Sequence, residues 1–136
     1  MLQISQILYT YLLTIPVFFA IDMVWLGVIA KDVYQKQIGH LLASTVNWPA
    51  ALIFYLVYIY GIIHFAVLPG IEKESIKTVL TNAALFGFMA YATYDLTNLT
   101  TLKDWPVKIV IVDLIWGMVL TSVVAFASYH IALWVK

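Results

Sequence analysis

Long apolar runs alternate with short polar punctuation along this chain. An α-helix rises ~1.5 Å per residue, so about 20 apolar residues cross a hydrocarbon core about 30 Å thick. Four runs meet that length: Leu8 to Ala30, Pro49 to Leu68, Ile76 to Leu99, and Pro106 to Leu133. Lys31-Asp32 ends the first run, and Asn47-Trp48-Pro49 opens the second, with proline in a first turn where its missing N–H is harmless. Pro69-Gly70 ends the second, and Lys103-Asp104-Trp105-Pro106 separates the last two. Between the first two runs, Tyr34, Ile38, Leu41 and Leu42 recur at helical spacing within the otherwise polar stretch Asp32 to Thr45. That pattern predicts a short amphipathic helix lying in the membrane interface. The reading is an all-α polytopic membrane protein, a four-transmembrane-helix bundle forming one domain over residues 1–136.

Composition adds the reason for lipid. The chain is 64% hydrophobic and 10% charged, too little polar surface to cover a soluble protein of this size. Trp25, Trp48, Trp105 and Trp134 fall near the ends of the runs, where amphipathic rings favour the headgroup layer, whereas Trp116 lies deeper. The first run lacks a basic leader and carries Asp22, so it is expected to be a retained helix rather than a signal peptide. With no cysteine, thiolate and iron–sulfur chemistry are excluded, and no cofactor is expected. Seven scattered lysines without arginine make no nucleic-acid surface. Lys31, Lys36, Lys103 and Lys108 flank the first and third connections, against Lys73, Lys77 and Lys136 opposite. That bias places both termini outside the cell.

Charge inside the runs narrows the chemistry further. Asp22, Asp95 and Asp113 each lie within a run, at a cost of about 2.5–3.5 kcal/mol per mid-bilayer carboxylate. No basic residue lies in a run near them. Because the helices alternate in direction, all three fall roughly 7–12 Å below the same membrane face. Gly87, Tyr91, Tyr94, Asp95 and Asn98 follow a helical stripe, and Asp113, Trp116, Gly117 and Thr121 another. Tyr55 and Tyr58 reach comparable depth. The expected site is an acidic, aromatic-walled pocket of Asp22, Asp95, Asp113, Tyr58, Tyr91, Tyr94, Asn98, Trp25 and Trp116. Interhelical hydrogen bonding without further function is the simpler account of the same residues. His40, His64 and His130 lie away from the acids and share no ligand spacing, so no metal is expected. Two segments echo each other: Ile21-Asp22-Met23-Val24-Trp25 and Val112-Asp113-Leu114-Ile115-Trp116.

The run Ala90-Tyr91-Ala92-Thr93-Tyr94-Asp95-Leu96-Thr97-Asn98-Leu99, with Trp105-Pro106 and Val112-Asp113-Leu114-Ile115-Trp116-Gly117, resembles a family of small bacterial membrane proteins. The family is catalogued as a domain of unknown function (DUF2177), and the likeness extends to Ile21-Asp22 and Trp25-Leu26-Gly27. The resemblance implies a bacterial inner-membrane location and genes for lipid modification nearby. It supplies no activity or catalytic residues.

The leading expectation is a proton- or cation-linked transporter, or a solute- or lipid-binding bundle, whose partners are membrane lipids and a small solute, proton or cation. A homodimer would widen the narrow cavity that four helices enclose. A non-enzyme is favoured over the alternative, an intramembrane lipid-modifying enzyme with an aspartate as base and a tyrosine as donor. A non-catalytic accessory subunit of a lipid-modifying system is the third reading.

Overall fold

In the computed structural model, which describes every residue from Met1 to Lys136, many large apolar side chains point outwards. Leu8, Ile53, Val57, Met89 and Ile115 are all more than half exposed. Such a surface is unstable against water and natural against acyl chains, which makes this a membrane-embedded helical protein. Three stretches are both long and apolar enough to cross a membrane: Ile4–Ile29, Trp48–Glu72 and Val107–Val135.

The first stretch is α1 (Ile4–Val24) followed by a π-helical turn (Trp25–Ile29). A short helix α2 (Lys31–Ile38) and one 3-10 turn (Gly39–Leu41) follow. The second stretch joins α3 (Trp48–Ile62), a π turn (Ile63–Val67) and α4 (Leu68–Glu72). Then come α5 (Ile76–Thr101) and α6 (Val107–Val135), and no strand forms. The Asn47 side chain caps α3 by accepting from the Ala50 N–H at 3.2 Å, and Ser75 caps α5 through the Thr78 N–H at 3.1 Å. α2 is shorter than the amphipathic pattern over Asp32 to Thr45 suggests. It stops at Gly39, and Leu41 and Leu42 beyond it are each 45% exposed.

The second stretch runs on through Pro69-Gly70, where the sequence marks its end, to Glu72. Proline inside a helix leaves the carbonyl four residues earlier without a donor and crowds it. Here the π turn just before Pro69 widens the helix, with the Leu68 N–H reaching back to Ile63. The orphaned carbonyl of Phe65 is taken instead by the Asn82 side-chain amide of α5, at 3.0 Å. Asn82→Ala is therefore expected to lower stability by about 1–3 kcal/mol. In a Pro69→Ala background, where the backbone donor returns, the same change should have little effect. Thermal melts of the four variants in detergent measure that coupling, and additive losses would contradict it.

The interior is built on α6. α5 packs along it, with Gly87 against the backbone of Gly117. α1 lies on another face of α6, joined by a buried Thr14–Ser128 hydroxyl bond of 2.8 Å. Tyr58 of α3 reaches Thr121 of α6 at 2.6 Å. Phe18, Ile59, Leu120 and Val124 fill the space between. A second, smaller cluster joins Ile38 of α2 to Trp105, Ile109 and Val110, which seats α2 over the start of α6.

Candidate functional site

All three aspartates are buried near the end of the bundle that carries α2. Asp95 is fully buried, and Asp22 and Asp113 are each 5% exposed. They divide into a pair and a single residue. The carboxyl of Asp95 on α5 lies against that of Asp113 on α6. Both Asp95 oxygens are shut off from solvent and accept no hydrogen bond. Beside them stands the buried indole N–H of Trp105, close to the Asp95 carboxyl but outside ordinary hydrogen-bonding geometry. Two carboxylates in contact, desolvated and without a cation, repel strongly in a medium of low dielectric constant. A proton on either one would supply the missing hydrogen bond between them.

Asp113 has a partner that Asp95 lacks. The Tyr34 hydroxyl of α2 donates to its Oδ1, and the Trp25 indole N–H donates to the same hydroxyl at 3.2 Å. Burial and the bonded carboxylate both push the Tyr34 phenol well above its usual range, so it remains a protonated donor. Tyr34 lies on α2, outside the long apolar stretches, and belongs to the site although the sequence places it only on the apolar face of an amphipathic helix. The signal was present in its side chain: a tyrosine on an apolar stripe brings a polar tip that needs a partner when buried.

Asp22 stands apart. Trp116 of α6 donates its indole N–H to Asp22 Oδ1 at 3.4 Å, and the Tyr55 hydroxyl lies beside the same carboxyl. Trp116 also stacks on Trp25, with centroids 4.2 Å apart and planes 7° from parallel. The echoed segments thus meet reciprocally. In each Asp-x-x-Trp unit, the tryptophan addresses the aspartate of the other, Trp116 directly and Trp25 through Tyr34. The π turn beginning at Trp25 ends the α-helical register of the first stretch at this point.

The remaining candidates fall on two sides. Tyr58 is buried and Tyr91 half-buried, their rings 6.3 Å apart, and they wall the space beyond Asp22. Asn98 is half-buried one turn past Asp95. Tyr94 turns away: it is 54% exposed, with its ring edge-on to Trp105 at 5.7 Å. No three histidine, cysteine, aspartate or glutamate side chains converge as metal ligands. A groove of about 480 Å³ lies between α1 and α3 around Ile4, Leu8, Tyr11 and Leu56. It is entirely apolar and includes none of the residues above.

This chain belongs to the DUF2177 family, described as a predicted membrane protein, whose family model matches residues 7–130. No curated protein and no solved structure matches it. The family description gives a membrane location and no activity.

Proposed function

We propose that this member of the family is a proton-linked transport protein of the bacterial inner membrane, in which Asp95 and Asp113 hold one exchangeable proton between them. The observation that carries this reading is the fully buried Asp95 carboxyl, which accepts no hydrogen bond of ordinary geometry, has only the Trp105 indole N–H near it as a donor, and has a second carboxyl alongside. A site meant only to glue helices together would satisfy its acceptors, as the Thr14–Ser128 and Tyr58–Thr121 contacts do. Asp22, with the aromatic wall of Tyr58, Tyr91, Trp25 and Trp116, is the place where a solute would be sensed.

In this reading α5 is the fourth crossing, and the lysine bias sets both termini outside. α5 has 26 residues, enough to span, but is less apolar than the other three stretches. Its hydroxyls explain how it tolerates lipid. Thr93, Thr100 and Thr101 each donate to the carbonyl four residues earlier, at 2.6, 2.7 and 2.8 Å, and so present methyl groups outward. Leu85, Phe88 and Met89 are exposed on the same helix.

Infrared difference spectra of the protein in lipid, recorded across a pH titration, test the proton. A carbonyl band from a protonated, water-shielded carboxylic acid is expected in the wild type. It should vanish on raising the pH, and should be altered or lost in both Asp95→Asn and Asp113→Asn. A wild type with no such band, or a band unchanged in both variants, would sink the proposal and leave the acids a structural role.

A further inference from the structure

We infer that α2 is a gate over the Asp95–Asp113 pair, latched by the Tyr34 hydroxyl on Asp113. The inference rests on the proton-binding reading for its purpose, though its geometry is independent of it. α2 is an eight-residue helix between two long apolar stretches, joined to the first through Ala30 and to the second through residues 42–47. Its hold on the bundle is narrow. Ile38 inserts among Trp105, Ile109 and Val110, with Val33 and Tyr34 packed at the edge. The buried polar attachment is Tyr34, through its bond to Asp113 and the one it receives from Trp25; just past α2, the exposed His40 imidazole lies 3.7 Å from Asp104 of the α5–α6 loop. Lys31, Asp32, Gln35 and Lys36 face outward and add nothing to that hold.

The position of the latch gives it a function. Asp113 and Asp95 are sealed from water, yet a carboxyl pair that exchanges protons must meet water at some stage. The side of the pair facing α2 is the thin one. It is closed by one short helix and by the loop carrying Trp105, whereas the opposite side is closed by the packed length of α5 on α6. Release of Tyr34 frees a donor and exposes an acceptor at the same moment, so water can replace both halves of the bond. That exchange is what makes a hydrogen bond to a charged group a good closure: it is strong while dry and replaceable once wet. The Trp25 end of the latch touches the Trp25–Trp116 stack and, through Trp116, Asp22. A change at Asp22 is thereby placed to reach Tyr34 through three contacts, by way of Trp116 and Trp25.

The chain has no cysteine, so a single introduced thiol reports without background. Val110→Cys places it on α6 beneath α2, at a position 5% exposed, and Ile38→Cys places it on the inner side of α2, at 6%. The full-length protein in nanodiscs is labelled with a charged, water-soluble maleimide, giving the probe access from both faces. Adding Tyr34→Phe should raise the labelling rate at both reporters roughly tenfold, the population shift expected from losing one charge-assisted hydrogen bond. Tyr11→Phe is the control. It removes a comparable tyrosine bond, to the Leu56 carbonyl, at the far end of α1. Rates unchanged by Tyr34→Phe would overturn the gate. Equal acceleration by Tyr11→Phe would overturn it too, since the cause would then be general loosening. If labelling rises as expected while the infrared band is absent, the proton reading fails and the latch stands.

Discussion

Gly87→Ala is expected to be the most damaging single methyl group that can be added to this protein, with a loss of at least about 3 kcal/mol. A β-carbon at Gly87 would collide with the backbone carbonyl of Gly117 and lie 2.7 Å from the Thr121 hydroxyl. A backbone carbonyl inside a helix cannot rotate aside, so α5 and α6 would have to separate along the interface that anchors the whole bundle. Gly117→Ala should cost less. Its added methyl meets mainly the ring of Tyr91, a side chain that can shift, and only approaches the Gly87 carbonyl at 3.0 Å. Gly27→Ala, with nothing within 4 Å, should change stability by no more than about 0.5 kcal/mol. The three form an ordered series, read by reversible denaturant titration in mixed micelles. Because Thr121 also bonds Tyr58 at 2.6 Å, Gly87→Ala should additionally disturb the attachment of α3. A Gly87→Ala protein as stable as Gly27→Ala would mean that the α5–α6 crossing is not as close as described.

That crossing was half legible in the sequence. Gly87 lies on the same stripe as Tyr91 and Asp95, and Gly117 on the stripe of Asp113 and Trp116, so a close approach of helices near the acids follows from spacing alone. Depth counting likewise brings Asp22, Asp95 and Asp113 to one end of the bundle. Spacing does not give the angle at which two helices face each other, and this angle separates Asp22 from the Asp95–Asp113 pair. Tyr94 shows the same limit. It is adjacent to Asp95, and successive residues on a helix point about 100° apart, so burial of Asp95 turns Tyr94 outward. Three stretches are long and apolar enough to cross a membrane, while the apolar character of α5 is diluted by threonines whose hydroxyls are satisfied within the helix. Pro69-Gly70 looks like a stop in sequence because the compensating donor, Asn82, lies on another helix. Tyr34 escaped for a related reason: periodicity identifies the face a residue occupies and is silent about which polar tip on that face meets a carboxylate.

The two classes of aspartate should respond oppositely to the same substitution. Asp95→Leu is expected to stabilise the protein by about 1–3 kcal/mol. It removes a fully buried carboxyl that accepts no hydrogen bond of ordinary geometry, replaces it with an apolar side chain of the same branched shape, and relieves Asp113 of an acidic neighbour. Asp22→Leu should instead destabilise by about 2–4 kcal/mol, since it takes the acceptor from the Trp116 indole and leaves the Tyr55 hydroxyl facing an apolar group. Asp22→Asn retains a carbonyl acceptor and should recover most of that loss. Thermal melts of the three variants in one detergent give the signs directly. Opposite signs would mean that Asp95 is kept at a cost in stability, as expected of a group retained for proton exchange rather than for folding. Destabilisation by Asp95→Leu comparable to that by Asp22→Leu would mean that Asp95 has a structural partner after all, and the case for an exchangeable proton on the pair would lose its main support.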